Sequence, residues 1–333
     1  MAFDIIFLEN TGYGSVSEML TVKNISKYYG DTAALSGISF HIAPGETTGI
    51  FGMPASGKTT LLDIISGYLL RYTGNVELCG VDLRKQPSLY RRQLAYIPAG
   101  GGLYPEMTVE EYALFVCGIN CRQSGKNKKA VAEAMRFAGI EALAAYPIQS
   151  LNALDRAKVA VAAALATGPE LLLIDQPFYG LRMDEIAVYQ NFLKAVAQRL
   201  TLVVASDSIS GFSEICKRTI ILNKGKMASA AAENLFAIKN TGARVRLRIA
   251  CAPSQIKAAF QFIPGILDVD FHSAPEKGVW DVVIDTEEGT DIRKQIWFAA
   301  ATFKVPVLEM RYLHISPEDI FLQLTGQNQG EGR

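Results

Sequence analysis

The residues with the clearest potential for chemistry lie between Gly52 and Thr59, where the sequence reads Gly-Met-Pro-Ala-Ser-Gly-Lys-Thr. Glycines let the backbone N–H groups of such a run turn towards an anion, and a helix that begins at its end presents a positive dipole to the same anion. Lys58 supplies an ammonium group for phosphates, and Thr59 supplies a hydroxyl ligand for Mg²⁺. The spacing therefore predicts a loop that binds the phosphates of a nucleoside triphosphate.

The segments on either side of this loop have the local structure that it needs. Thr47 to Phe51 is apolar and β-branched, which is typical of a short strand. From Thr59 to Leu70, apolar residues recur at helical spacing. A strand, a glycine loop and a helix in that order are the context in which this motif indicates phosphate binding. We assign the nucleotide contacts of the loop to Gly52, Met53, Pro54, Ala55, Ser56, Gly57, Lys58, Thr59 and Thr60.

A second candidate element is the segment Leu171 to Gln176, which reads Leu-Leu-Leu-Ile-Asp-Gln. Its unbroken apolar run is typical of a strand that is buried on both faces of a parallel sheet. Asp175, at the carboxyl end of this strand, is positioned to hold Mg²⁺ together with Thr59. Gln176 follows where a nucleotide hydrolase would need a carboxylate. An amide cannot accept a proton from the attacking water, and the loss of a positioned base commonly costs about 10²–10⁴ in rate.

The chain resembles the nucleotide-binding subunits of ATP-binding-cassette (ABC) transporters over about residues 19 to 240. The stretches that carry the resemblance are Tyr28-Tyr-Gly-Asp-Thr-Ala-Ala-Leu35, Ala43-Pro-Gly-Glu46, the glycine loop, Leu94-Ala-Tyr-Ile-Pro98, Leu103-Tyr-Pro-Glu-Met-Thr-Val109, Pro169-Glu-Leu-Leu-Leu-Ile-Asp175 and Ile221-Leu-Asn-Lys-Gly-Lys226. The resemblance implies an α/β fold, the RecA-like fold of P-loop NTPases, with a helical arm at about residues 104 to 165. It also implies that Tyr29 stacks on adenine, which indicates ATP as the nucleotide.

Five positions depart from the pattern of that family. The glutamine usual after the Ile-Pro pair is Ala99, the signature Leu-Ser-Gly-Gly-Gln aligns with Leu151-Asn-Ala-Leu-Asp155, the catalytic glutamate aligns with Gln176, the D-loop aspartate with Arg182, and the switch histidine with Asp207. Gln176 and Asp207 are therefore degenerate catalytic positions. An aspartate at position 207 would repel the γ-phosphate. The resemblance makes the chain an ABC-type ATPase by family, but its activity as an enzyme is uncertain.

The altered signature has a structural interpretation as well. Asn152 is a favourable N-cap residue with Asp155 three positions later, ahead of a helix rich in alanine and valine. Ala153 and Leu154 prevent the close backbone approach that two glycines would allow. We therefore expect the helix to be kept and the contact with a phosphate of a second subunit to be lost.

These observations favour the ATP-binding subunit of an ABC transporter complex, of exporter type, which binds Mg-ATP and is weak or silent in hydrolysis. Two alternatives stay open. One is an active transport ATPase with relocated catalytic residues, for which Glu185 is the nearest spare carboxylate. The other is an ATP-sensing scaffold that serves no transporter. The resemblance implies ATP and Mg²⁺ as cofactors. It implies a membrane-spanning permease and a second ABC ATPase subunit as partners, with a heterodimer favoured over a homodimer.

Residues 243–326 have the order of elements strand, helix, strand, strand, helix, strand, which predicts a ferredoxin-like α+β domain. The closing stretch Ser316 to Thr325 resembles the C-terminal helix of transport ATPases that serve exporters. We take residues 1–18 as an N-terminal extension, 19–240 as the nucleotide-binding domain and 327–333 as a disordered tail.

Composition limits the remaining classes of function. With 333 residues the chain is long enough for two domains, and its formal net charge of zero gives no electrostatic case for a nucleic acid partner. Its longest apolar run, about eight residues, falls well short of the roughly 20 that a membrane-spanning helix needs. Five cysteines without a CxxC pair argue against a zinc site or a disulfide framework. The N-terminus lacks the pattern of a secretory signal. We expect a cytoplasmic protein, peripheral on the inner face of the cell membrane.

Overall fold

The computed structural model describes residues 18–120, 124–228, 243–261, 263–274, 276, 278–286, 292–314, 321, 324 and 325. The chain divides into two compact units, residues 1–236 with 324–326 and residues 237–323 with 327–333. The predicted tail at 327–333, the extension up to residue 17 and most of the predicted closing helix lie outside the described residues.

The first unit contains both strands and helices. Its strands are β1 (Leu20–Tyr29), β2 (Thr32–Ile42), β3 (Thr47–Phe51), β4 (Thr73–Leu78), β5 (Val81–Asp82), β6 (Leu94–Ile97), β7 (Leu171–Asp175), β8 (Thr201–Ser206), β9 (Arg218–Asn223) and β10 (Lys226–Met227). Its helices are α1 (Lys58–Ile65), α2 (Pro87–Arg92), α3 (Val109–Asn120), α4 (Ser124–Ala138), α5 (Ala153–Ala166) and α6 (Met183–Ala197), with short 3-10 turns at Glu141–Leu143 and Ile148–Ser150.

Two sheets organise these elements. An antiparallel sheet has the order β2-β1-β4-β5, and a second sheet has the order β10-β9-β3-β8-β7-β6, in which all neighbours except β10 and β9 are parallel. Strands β3, β7 and β8 are buried along their full lengths, as their apolar sequences predict. In the register of the sheet, Phe51 pairs with Ser206 and Asp175 pairs with Ala205. The loops that follow these three strands therefore meet at one edge of the sheet.

The helix after the glycine loop is shorter than its apolar pattern predicts. It ends at Ile65 and not near Leu70. Gly67 has φ +75°, a left-handed conformation that closes a helix, and its N–H donates to Ile64 O at 3.0 Å. The apolar residues beyond Gly67 belong to the following loop, so the prediction for the end of this helix was wrong.

Helices α3, α4 and α5 form an arm with a small core of its own, in which Cys117, Val131 and Val159 are buried together. This arm lies in the segment predicted to be helical. In the part of the chain that the structure describes, no helix is both long and apolar enough to cross a membrane.

The second unit contains β11 (Ala243–Ile249), α7 (Pro253–Phe260), β12 (Ile266–Ser273), β13 (Trp280–Thr286), α8 (Arg293–Thr302) and β14 (Val307–His314). Its sheet has the order β12-β13-β11-β14, and all neighbouring strands are antiparallel. Apolar residues of both helices and of the central strands, such as Leu247, Ile256 and Ile296, form its core. This is the ferredoxin-like arrangement that the order of elements predicts.

Candidate functional site

The loop from Gly52 to Gly57 connects β3 to α1 and depends on glycine at both ends. A Cβ atom on Gly52 would lie 2.3 Å from Leu222 O, and one on Gly57 would lie 2.6 Å from Ala34 O. Gly57 also has φ +102°, which side chains rarely adopt. Ser56 N donates to Met53 O at 3.1 Å, so the loop turns tightly on itself. These contacts leave no room for a larger residue at either glycine.

Lys58 is buried, with only 4% of its surface exposed, and its ammonium group is surrounded by protein oxygens. Its Nζ donates to Gly52 O at 2.7 Å, to Met53 O at 2.9 Å and to Ser56 Oγ at 3.3 Å. The fourth partner is the carboxylate of Asp207, whose Oδ1 lies 2.6 Å from Nζ. The structure thus joins the residue at the switch position directly to the lysine of the loop.

Thr59 and Asp175, the predicted ligands of Mg²⁺, are in direct contact. Thr59 Oγ1 donates to Asp175 Oδ2 at 2.7 Å. Among the described residues, the buried Oδ1 atom of Asp175 has no hydrogen-bond partner. Burial raises the pKa of Asp175, against the lowering effects of the Thr59 hydrogen bond and the Lys58 charge. A buried carboxylate oxygen without a partner, next to a hydroxyl, suits a hard cation that takes its remaining ligands from phosphates and water.

Asp63 and Tyr96 lie near this pair and were missed by the sequence interpretation. The Tyr96 hydroxyl donates to Asp63 Oδ1 at 3.2 Å. Burial raises the pKa of both residues, and the charges of Asp63 and Asp175 raise that of Tyr96 further. Asp63 lies four residues after Thr59 on α1, so helical spacing could have placed the two on one face. The pairing with Tyr96 on β6 depends on the tertiary fold.

Gln176 occupies the position directly after Asp175 with an uncommon backbone conformation. Its φ is +50°, in the left-handed region that few residues other than glycine adopt. Its N–H donates to Ala205 O at 2.8 Å, and its carbonyl accepts from Tyr179 N at 2.9 Å. The backbone at this position is therefore fixed to β8, and the side chain that begins there is a neutral amide.

The segment aligned with the signature begins α5 in the way that its sequence predicts. Asn152 is the N-cap residue, and its Oδ1 accepts from Asp155 N at 2.7 Å. Its Nδ2 donates to Asp155 Oδ2 at 2.8 Å. The predicted cap is confirmed. Both polar ends of the Asn152 amide are engaged within its own chain.

Arg182 and Glu185 take part in the start of α6. The backbone N–H of Arg182 donates to Glu185 Oε2 at 2.9 Å, and its guanidinium Nη2 lies 3.6 Å from Glu185 Oε1. Glu185 is itself buried, with 9% of its surface exposed. Both carboxylate oxygens of Glu185 are therefore used to cap a helix and to pair with Arg182.

Tyr29 lies at the end of β1 with half of its surface exposed, and Lys27 Nζ lies 4.7 Å from the centre of its ring. A second exposed aromatic group lies on the arm. There, Tyr104, which precedes α3, packs edge-on against Phe115 of α3, with ring centres 5.6 Å apart. Ile119 of α3 is also exposed. We call Tyr104, Phe115 and Ile119 the arm patch.

Comparison with known proteins finds ATP-binding proteins of transport systems as relatives. The ABC transporter family model matches residues 35–179. The tungstate uptake system ATP-binding protein TupC of Peptoclostridium acidaminophilum is 30% identical over 215 residues, which cover 63% of this chain and 97% of that protein. The Nod factor export ATP-binding protein I of Paraburkholderia xenovorans (strain LB400) is 23% identical over 313 residues, which cover 91% of this chain and 95% of that protein.

Among solved structures, cbiO1 from Clostridium perfringens, part of the ABC transporter complex cbiONQ, matches with a TM-score of 0.60 and 23% identity. The match covers 75% of this chain and 97% of that chain. At this level of identity it shows a shared fold.

Proposed function

Because this chain belongs to the ATP-binding subunits of ABC transporters, we propose that it binds Mg-ATP at the loop from Gly52 to Thr59 and hydrolyses it weakly or not at all. We further propose that the complex it serves is an exporter. The relative named for Nod factor export matches nearly the whole chain, whereas the tungstate uptake relative matches only about two thirds of it.

Nucleotide binding is supported by the geometry of the loop. The close contacts at Gly52 and Gly57 fix a tight glycine loop that leads directly into the start of α1. The start of a helix is a favourable place for phosphates. Thr59 and Asp175 would hold Mg²⁺, and the buried Asp175 Oδ1, which has no hydrogen-bond partner among the described residues, fits that role. When bound, Mg²⁺ supplies charge neutralisation for the β- and γ-phosphates. The exposed ring of Tyr29 is available to stack on adenine.

The proposal of weak hydrolysis rests on the neutral side chain of Gln176, which directly follows Asp175. It can hold a water molecule through its amide but cannot take a proton from it. Glu185, the nearest spare carboxylate in sequence, is committed to Arg182, which weakens the alternative of a relocated base. Asp207 adds a second obstacle, since its charge lies where the γ-phosphate would approach Lys58.

For partners we propose a permease and a second ABC ATPase subunit, with this chain on the cytoplasmic side of the permease. The arm patch supplies an exposed apolar surface suited to a permease segment. A heterodimer is favoured because a homodimer would carry Gln176 and the altered signature at both sites. An active partner would bring its own complete loop and base to one of them.

The test is the rate of phosphate release from Mg-ATP by the purified chain, with Lys58→Ala as the background control. We expect the rates of wild type and Lys58→Ala to be equal within error, while wild type alone binds the nucleotide. Phosphate release by wild type that depends on Lys58 would reject the claim of weak hydrolysis. Equal failure of both proteins to bind would reject the claim of nucleotide binding.

A further inference from the structure

The ammonium group of Lys58 has more acceptors than donors. It carries three N–H bonds, and four protein oxygens lie within 3.3 Å of its Nζ. Two of these oxygens are backbone carbonyls and one is the Ser56 hydroxyl. The fourth is an oxygen of the Asp207 carboxylate, which lies at the shortest distance, 2.6 Å. A phosphate that binds to Lys58 must therefore replace one of these four oxygens. Asp207 is the acceptor most like a phosphate, because it is also an anion.

The position of Asp207 is fixed by the sheet and open to solvent on one side. It follows Ser206, the last residue of β8, whose carbonyl accepts from Gly52 N at 3.3 Å. The Ser206 hydroxyl accepts from Ser208 N at 3.2 Å. The Asp207 side chain is 43% exposed, whereas that of Lys58 is 4% exposed. Asp207 therefore covers the solvent side of a buried ammonium group.

We propose that Asp207 stands in for the terminal phosphate at Lys58, so that this site binds a nucleoside diphosphate at least as tightly as the triphosphate. The inference rests on the proposed function, because it requires that the loop binds nucleotide. Backbone N–H groups of the loop and the start of α1 hold the β-phosphate while Lys58 stays paired with Asp207. Lys58 is still required, because its ammonium group holds the loop together through Gly52 O and Met53 O. The γ-phosphate must displace Asp207 from Lys58 and then lie beside its carboxylate, where two negative charges repel.

The test compares the dissociation constants of Mg-ADP and of the non-hydrolysable triphosphate analogue Mg-AMP-PNP, measured by titration calorimetry. Wild type should bind the two equally, or ADP more tightly. Asp207→Asn removes the charge and keeps the shape, and should tighten AMP-PNP by roughly tenfold or more, the worth of one charge-assisted bond. It should change the affinity for ADP by less than about threefold, because binding of the β-phosphate does not require Asp207 to leave Lys58.

Two controls separate charge from shape. Asp207→Glu keeps the carboxylate and should keep the preference of wild type. Glu141→Gln removes a carboxylate from an exposed pair with Arg136 on the arm and should change neither affinity.

The possible results are distinct. A wild type that binds AMP-PNP more tightly than ADP, beyond the error of the titration, overturns the proposal, and so does an Asp207→Asn variant that changes both affinities equally. If wild type binds neither nucleotide but Asp207→Asn binds AMP-PNP, the stand-in role is supported and the proposed function of wild type fails. If neither protein binds either nucleotide, both proposals fail.

Discussion

At the scale of single residues, the carboxyl group of Asp175 is subject to the charges of two other carboxylates and one ammonium group. The charges of Asp63 and Asp207 raise the pKa of Asp175 in addition to burial, and the Lys58 charge lowers it. One cation therefore offsets part of a cluster that is otherwise negative. A nucleotide alone would add more negative charge, so we expect binding to require a divalent cation.

Gln176→Glu tests whether the missing base limits the rate. The substitution changes an amide to a carboxylate of the same shape at the position that follows Asp175. Phosphate release from Mg-ATP should rise by about tenfold or more, less than a full base could supply because the other altered positions remain. The double variant Gln176→Glu with Lys58→Ala is the control and should show no rise. An unchanged rate in the single variant would mean that the base is not the limiting loss.

Asp175→Asn should stabilise the nucleotide-free protein. It should also remove the dependence of nucleotide binding on Mg²⁺. Burial raises the pKa of Asp175, so the folded state carries a penalty for the charged form at neutral pH. The variant should therefore have the higher thermal midpoint at neutral pH, and the difference should shrink as the pH falls through that raised pKa and the carboxyl group becomes neutral. Thermal melts without nucleotide across pH measure this. A variant less stable than wild type at neutral pH would contradict the account.

At the scale of elements, local patterns predicted the parts of the site and the tertiary fold determined how they meet. The glycine loop, the buried strand before Asp175 and the N-cap at Asn152 could be predicted because each depends on its own neighbours. The early end of α1 was missed because one glycine in a left-handed conformation outweighs a continuing apolar pattern. The ion pair of Lys58 with Asp207 could not be predicted, since residues that follow different strands meet only through the order of the sheet.

The cap of α5 gives a prediction at this scale. Asn152→Ala removes the acceptor for Asp155 N and should destabilise the first unit by about 1 kcal/mol, which lowers its thermal midpoint by roughly 2–4 °C. Asn152→Ser keeps an oxygen at the same place and should stay close to wild type. Melts followed by circular dichroism compare the three proteins. Equal losses in the alanine and serine variants would show that the cap is not the source of stability.

At the scale of the whole molecule, one unit carries the proposed nucleotide site and the other carries a ferredoxin-like sheet. The assignment of residues 19–240 and 243–326 as the two functional domains stays a prediction. So does the choice of a heterodimer, which we favour because a homodimer would carry Gln176 and the altered signature at both sites.

The purified chain should therefore remain a monomer in the presence of Mg-ATP. Light scattering on a sizing column, with and without nucleotide, measures the mass directly. At positions 152 and 207 this chain offers no good donor to a phosphate that is shared between two copies. The mass should therefore not change. A mass that doubles with Mg-ATP, and not with ATP and a chelator, would favour a homodimer.

We propose above all that this chain holds ATP without hydrolysing it. The most direct measurement is to incubate the purified protein with Mg-ATP for an hour, separate it from free nucleotide and identify what remains bound, with Lys58→Ala treated in the same way. We expect intact ATP on wild type and none on the variant. Bound ADP on wild type, with phosphate released at a rate that depends on Lys58, would contradict it and identify the chain as a working ATPase.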